Sequence, residues 1–168
     1  METKQSTYIW KKPGEAENYS QSRPQHPSDV VNLSLKYLRE KYQGPLQLAL
    51  DIGCGTGKST EHLLPHFEKV YGCDLSQAML DQATKDYEHC KNVTFVQSTA
   101  EDLSQFPTNA FQLIIAGRYF LIKNYIRYLI LNKSIFFPAR CIHYFDTVKF
   151  FAEVDRLLQP GGVLVYYT

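Results

Sequence analysis

The chain has 168 residues, of which 44% are apolar, and its 18 basic and 17 acidic residues nearly balance. This length supports one domain with a sizeable core, and the charge balance leaves no field that would attract nucleic acid or acidic lipid. The four cysteines form neither a Cys-x-x-Cys pair nor a zinc-ligand spacing. We therefore expect reduced thiols, no metal centre and a cytoplasmic protein.

The first 27 residues are polar and contain three of the chain's prolines. We expect residues 1–27 to form a flexible tail or lid ahead of one domain that spans residues 28–168. In that domain, Ser28 and the apolar positions after it predict a helix that packs on a sheet and ends near Gly44. Composition leaves open whether the tail is a plain surface segment or covers a ligand.

An apolar run that ends on Asp51 breaks into three alternate glycines, Gly53, Gly55 and Gly57. The run predicts a buried parallel strand, and the glycines allow a sharp turn and the close approach of a ligand. We expect a helix from about residue 58 to residue 67 to follow, with its N-terminal amides directed at that ligand.

The spacing of these glycines separates three ligand classes. A P-loop needs its upstream glycine at Ile52, one residue before Gly53, so it is rejected. The dinucleotide pattern Gly-x-Gly-x-x-Gly also fails here, and Asp51 at the mouth of the loop would repel a pyrophosphate. A carboxylate at that point instead favours a ligand with a cationic ammonium and a sulfonium, and S-adenosylmethionine carries both groups.

A second acid follows the second predicted strand, which covers residues 69–74. Asp74 lies at the end of that strand, close to the offset of about 20 residues at which an acid meets a ribose in nucleotide-binding α/β folds. A turn or helix-capping role for Asp74 stays open.

The remaining pattern alternates helices and strands. Ser76 predicts the cap of a helix that continues through Tyr87 and ends near Cys90. The other predicted elements are strands at residues 93–97, 110–117 and 163–167 and a helix at residues 146–158. The inward face of that helix is predicted to carry Val148, Phe151, Val154, Leu157 and Leu158. The carboxyl end of the strand that closes on Gly117 would face the ligand, because ligands collect at that edge of such sheets.

Four segments in this order resemble the motifs of class I S-adenosylmethionine-dependent methyltransferases: residues 51–57, 70–75, 95–103 and 157–164. Residues 19–27 and 142–146 are most similar to the trans-aconitate methyltransferase-like group. The resemblance implies a Rossmann-like, doubly wound α/β sheet of mostly parallel strands. It also implies S-adenosyl-L-methionine as the cofactor and methyl transfer to a small-molecule acceptor such as a carboxylate.

The resemblance assigns roles to individual residues. Tyr19 and Arg23 would bind the acceptor, and His143 would act as a base or orient the acceptor, although a structural role for this histidine stays open. Glu101 could equally begin a solvated helix. The cofactor-binding residues that the resemblance implies are Asp51, Gly53, Gly55, Gly57, Asp74, Leu75, Thr99, Ala100, Glu101 and Gly117.

About two dozen residues, 118–140, interrupt the family pattern directly after Gly117, and they contain no acid and no glycine. Their basic and amide side chains argue against stable membrane insertion, whereas a basic, aromatic helix that binds lipid or RNA stays open. We favour a third interpretation, a translated and unspliced intron, because the abundant Ile, Asn, Lys, Tyr and Phe have AT-rich codons. Transcript reads that join Gly117 to Cys141 would support it, and their absence would contradict it.

The pattern predicts five strands, whereas seven are usual for this class. We therefore expect the last two strands to be missing, with a C-terminal truncation and a free edge on the fifth strand. Two other functions stay open at this point. One is a non-catalytic cofactor-binding fragment or aberrant splice product, and the other is a nucleic-acid methyltransferase, which the charge balance disfavours.

Overall fold

The computed structural model describes residues 14, 16–18, 28–117, 129–131, 134–136 and 146–167. Three residues with predicted roles, Tyr19, Arg23 and His143, lie outside these ranges. The proposed boundary between a tail at residues 1–27 and a domain at residues 28–168 stays a prediction.

The described elements alternate in the order predicted for an α/β domain. In chain order they are α1 (Ser28–Lys41), β1 (Leu48–Ile52), a 3-10 helix (Thr60–Leu63), β2 (Lys69–Asp74), α2 (Gln77–Asp86), β3 (Val93–Gln97), β4 (Phe111–Gly117), β5 (Leu129–Leu131), β6 (Ser134–Phe136), α3 (Thr147–Leu157) and β7 (Leu158–Tyr167). No helix among the described residues is long and apolar enough to cross a membrane.

The sheet has the strand order β3-β2-β1-β4-β7-β6-β5. Five neighbouring strands of this sheet run parallel to one another, namely β3, β2, β1, β4 and β7. This arrangement confirms the predicted parallel sheet. The chain reverses its direction of travel between β1 and β4. In such sheets a crevice opens at the carboxyl ends of the strands on either side of that reversal, and ligands bind there.

Successive residues of the central strands point to opposite faces of the sheet, and both faces are buried. In β1, Ala49 packs in the core that α1 covers, and Leu50 packs in the core that α3 covers. In β4, Leu113 packs in the core that α1 covers, and Ile114 packs in the core that α3 covers. Each fully buried Leu or Ile contributes about 2 kcal/mol, so the two cores hold the carboxyl edge of the sheet in place.

The edge of β7 is covered, contrary to the prediction of a free edge. Strands β5 and β6 form an antiparallel hairpin, and β6 pairs in parallel with β7 at Ile135 and Val165. Within the described residues the sheet therefore has seven strands where five were predicted, and the two additional strands come from the 118–140 block. The helix interpretation of that block is wrong for residues 129–131 and 134–136, because an apolar run that contains Ile and Phe also suits a strand beside unpaired backbone groups.

The helix predicted at residues 58–67 is instead a 3-10 helix of four residues. The side chains of Ser59 and Thr60 turn inward to a buried carboxylate, that of Asp51. Pro65 follows the short helix and has no N–H with which to continue it. The predicted helix dipole directed at a ligand is therefore absent from this part of the chain.

Helix α3 begins where it was predicted and, except at Val148, presents the predicted face to the core. Asp146 caps it by accepting a hydrogen bond from the backbone N–H of Lys149 at 3.3 Å. Val148, which was predicted to lie inward, is 79% exposed, and Phe150 is buried instead. The predicted inward positions Val154 and Leu157 are confirmed, and Phe150 joins them in the core.

Candidate cofactor site

Three glycines after β1 have backbone angles that residues with a side chain rarely adopt. Their φ angles are +75° at Gly53, +56° at Gly55 and +83° at Gly57. A Cβ atom on Gly53 or Gly55 would meet no atom within 4 Å, whereas one on Gly57 would lie 2.8 Å from Cε2 of Tyr87. The first two glycines therefore border open space, and the third packs against the protein.

The glycine loop is tied to the end of β2. The carbonyl of Cys73 accepts hydrogen bonds from the N–H groups of Gly53 at 2.7 Å and Cys54 at 3.0 Å. The carboxylate of Asp74 accepts from the N–H of Gly55 at 2.9 Å and from the N–H of Ser76 at 2.8 Å. Asp74 thus joins the loop to the start of α2. Because a carboxylate has about four acceptor positions, these bonds are compatible with the predicted contact to ribose hydroxyls.

Asp51 lies beneath the loop and is fully buried, so its predicted position at the mouth is wrong. The hydroxyls of Ser59 and Thr60 both donate to its Oδ2 at 2.6 Å, and its Oδ1 has no partner. Burial raises the pKa of Asp51 to about 6; the two hydroxyls lower it, and the charge of Asp74 raises it. Sequence reasoning missed Ser59 and Thr60, because no motif pairs a hydroxyl with an acid at that distance along the chain.

Buried polar atoms without a partner concentrate around this loop. Four such side-chain atoms occur among the described residues, and three of them are Asp51 Oδ1, Thr56 Oγ1 and Ser76 Oγ. A buried polar group without a hydrogen bond costs about 1–3 kcal/mol, and native structures contain few of them. The clustering of three unpartnered polar atoms around the loop indicates a binding site for a polar ligand. A cofactor that carries an amino acid and a nucleoside is such a ligand.

The segment predicted to contact adenine follows β3. Ala100 is buried in the core, while Thr99 is exposed and its Oγ1 accepts a hydrogen bond from the N–H of Asp102 at 3.1 Å. Oε1 of Glu101 accepts from the N–H of Asp146 at 2.9 Å. No helix begins at Glu101, and its side chain contacts the N-terminus of α3 instead.

Two more predicted residues lie at the carboxyl edge of the sheet. Leu75 directly follows Asp74 and is 51% exposed, so it offers an apolar side chain at that edge. Gly117 ends β4 and pairs with Tyr167 of β7. The structure thus brings the predicted cofactor residues to the ends of β1, β2, β3 and β4, which form one edge of the sheet.

A doubly wound parallel sheet with a glycine loop after β1 and an acid at the end of β2 defines a Rossmann-like domain for a nucleoside-bearing ligand. A profile of the methyltransferase domain family matches residues 49–129. The chain is 28% identical over 156 residues to the probable S-adenosylmethionine-dependent methyltransferase CRG1 of Saccharomyces cerevisiae, covering 91% of this chain and 45% of that protein.

It is also 32% identical to the trans-aconitate 2-methyltransferase of Acidovorax sp., covering 87% of this chain and 46% of that protein. A crystal structure of a S-adenosylmethionine-dependent methyltransferase from Clostridium acetobutylicum shows the same fold. Its TM-score is 0.58 at 23% identity, over 83% of this chain and 48% of that one.

The chain belongs to the class I S-adenosylmethionine-dependent methyltransferases, whose cofactor is S-adenosyl-L-methionine. It spans less than half the length of the two curated relatives above. The sequence expectations of family, fold and cofactor are confirmed, and the roles of single residues stay predictions.

Proposed function

We propose that this domain binds S-adenosylmethionine and transfers its methyl group to a small organic carboxylate. The observation that carries the proposal is the open space beside Gly53 and Gly55, which lies next to the carboxylate of Asp74. The similarity to a trans-aconitate 2-methyltransferase supports the class of acceptor.

The residues of the loop have distinct roles in this proposal. Gly53 and Gly55 let the backbone approach the methionine part of the cofactor, and Asp74 accepts hydrogen bonds from the ribose. Asp51 lies below with one unpartnered oxygen, where its charge would attract a cationic ligand in a low-dielectric surrounding. Leu75, Thr99, Ala100 and Glu101 line the adenine end.

When bound, the cofactor supplies a methyl group that is already activated by a sulfonium leaving group. The protein then has mainly to align the acceptor with that methyl group, and such alignment is worth about 7–11 kcal/mol in favourable cases. We assign acceptor binding to Tyr19 and Arg23, because a guanidinium binds a carboxylate with two parallel hydrogen bonds. We assign His143 to the acceptor as well, where it would orient the acceptor; a carboxylate is already ionised near pH 7, so only an acceptor that carries a proton would need this histidine as a base.

Calorimetric titration with S-adenosylmethionine, followed by turnover with a panel of small carboxylic acids, tests the proposal. We expect cofactor binding and methyl transfer to at least one acid, with an Arg23→Gln variant raising the KM for the acid and leaving the Kd of the cofactor unchanged. The matched control is Glu17→Gln, which also removes one charge and lies in the helical residues 16–18 ahead of α1. A chain that binds no cofactor would contradict the whole proposal.

A second function, cofactor binding without catalysis, is favoured by one observation. The 118–140 block begins directly after Gly117, at the strand end where acceptor and methyl group must meet. Cofactor binding without turnover of any acid would support this alternative. Turnover by a chain that lacks residues 118–140, but not by the full chain, would assign the loss of activity to the block.

A further inference from the structure

Helix α3 contacts the segment 101–110 along its whole length. At its start, the N–H of Asp146 donates to Glu101 Oε1 at 2.9 Å. At its end, the carbonyls of Arg156 and Leu157 accept from the N–H groups of Asn109 and Ala110, both at 2.9 Å. The segment that follows β3 is therefore hydrogen-bonded to both ends of α3.

Between these points, a charged pair on α3 binds the backbone of the same segment. Nε and Nη2 of Arg156 donate to the two carboxylate oxygens of Glu153 at 2.9 and 2.8 Å. Oε2 of Glu153 also accepts from the N–H of Leu103 at 2.9 Å. The other donors of Arg156 reach the carbonyls of Leu103 and Phe106, each at 2.9 Å.

All the hydrogen-bonding side-chain atoms of Glu153 and Arg156 have partners. A guanidinium has five donors in a fixed plane, and every nitrogen of Arg156 has an acceptor in the segment or on Glu153. The pKa of Glu153 is lowered, chiefly by its hydrogen bond to Arg156, and both side chains are largely shielded from solvent. Such a charge-assisted, bidentate pair is short and directional, so it sets the position of the backbone it binds.

Helix α3 is connected to two segments with predicted roles. Its bound segment continues from residues 99–101, which are assigned to the adenine end. Its N-terminus directly follows residues 141–145, which include the predicted acceptor-side residue His143. A shift of α3 would therefore move the backbone that continues from residues 99–101.

We propose that the Glu153–Arg156 pair is a positioning unit that fixes residues 99–103 for the adenine of the cofactor. This inference rests on the proposed function, because it takes residues 99–101 as the adenine contact. Neither side chain touches the cofactor in this arrangement. Arg156 and Glu153 act through the backbone at Leu103 and Phe106.

The test compares Arg156→Leu and Arg156→Lys with a control of matched stability. Gln112→Leu is a suitable control, because the buried Gln112 accepts from the N–H groups of Gln47 and Leu48 at the far end of β1. We expect Arg156→Leu to raise the Kd for S-adenosylmethionine about tenfold or more, because cofactor binding would then have to order a segment that the pair orders in the wild type. The Kd of Arg156→Lys should lie between those of the wild type and Arg156→Leu, because an ammonium keeps the charge but cannot form the bidentate pair.

The control is expected to change the Kd less than about twofold at an equal or larger loss of Tm. Equal changes of Kd in Arg156→Leu and Gln112→Leu would overturn the proposal, because stability alone would then explain them. A wild-type chain that binds no cofactor would overturn the proposed function instead.

Hydrogen exchange gives a second readout that needs no ligand. In Arg156→Lys, the amide of Leu103 should exchange faster than in the wild type, while the amides of β1 keep their rates. Unchanged exchange at Leu103 would show that the pair does not hold the segment, whether or not the chain binds a cofactor.

Discussion

The carboxylate of Asp74 accepts a hydrogen bond from the backbone N–H of Gly55 at 2.9 Å, across 19 residues of sequence. One side chain at the end of β2 therefore sets the shape of the loop that follows β1. The same carboxylate is assigned to the cofactor's ribose, so loop geometry and ligand binding depend on one group.

Asp74→Asn should weaken cofactor binding more than a lost ribose contact alone would. An amide offers one oxygen where the carboxylate offers two, so either the Gly55 or the Ser76 N–H loses its acceptor. We expect the Kd for S-adenosylmethionine to rise about 10–100-fold, as for loss of a hydrogen bond to a charged group. Asp81→Asn, on the exposed side of α2, is the matched control, and calorimetry measures both. An Asp74→Asn chain that binds like the control would contradict this role.

Alanine at Gly53 and at Gly57 should have different consequences. Both positions have positive φ, which costs about 1–2 kcal/mol for alanine. At Gly57 the Cβ would also collide with Tyr87, so we expect a total loss of about 2–4 kcal/mol in the free energy of unfolding. At Gly53 the Cβ enters open space, so the main loss should be in cofactor affinity. Denaturant unfolding and calorimetry on both variants check this, and equal effects on the Kd would contradict it.

Stability should depend on pH through Asp51. Its pKa is raised from 3.8 to about 6 in the folded protein, so folding takes up a proton between those two pH values. Below about pH 4 the carboxyl is neutral in both the folded and the unfolded state, so its burial does not lower the free energy of unfolding. As the pH rises to about 6, the folded protein loses about 3 kcal/mol relative to the unfolded chain, and the loss persists at higher pH.

Asp51→Asn removes this titration and keeps an oxygen for the hydroxyls of Ser59 and Thr60. The free energy of unfolding of the wild type should therefore fall relative to that of the variant between about pH 4 and pH 6. Lowered pKa values at Glu153, Asp102 and Asp146 act in the opposite direction, but both proteins contain them. Parallel pH curves for the two proteins would show that Asp51 is not buried as described.

Deletion of residues 118–140 should expose the edge of β7. The hairpin of β5 and β6 pairs with that strand at Ile135 and Val165, and an uncovered strand edge favours association. We expect concentration-dependent self-association of the shortened chain by light scattering, with the full chain as control. A shortened chain that stays monomeric would show that the hairpin is not needed to protect this edge.

Local patterns predicted the elements that carry the site. The glycines after Asp51, the acid at Asp74 and the apolar runs of β1 and β4 are each visible within about ten residues of sequence. The apolar stretches at residues 129–131 and 135–136 are short, and their period does not separate a strand from a helix. The helix interpretation there was wrong because pairing with β7, rather than local preference, selects the strand.

The sequence alone determined the fold class and the cofactor, because a glycine loop and an acid at the right offset are local requirements for binding this ligand. The tertiary structure decided how these parts are held. Asp51 lies beneath the loop, where Ser59 and Thr60 turn inward to it, and the carbonyl of Leu103 accepts a hydrogen bond from Arg156, 53 residues further along the chain. Such contacts join residues that only folding brings together, so no spacing rule contains them.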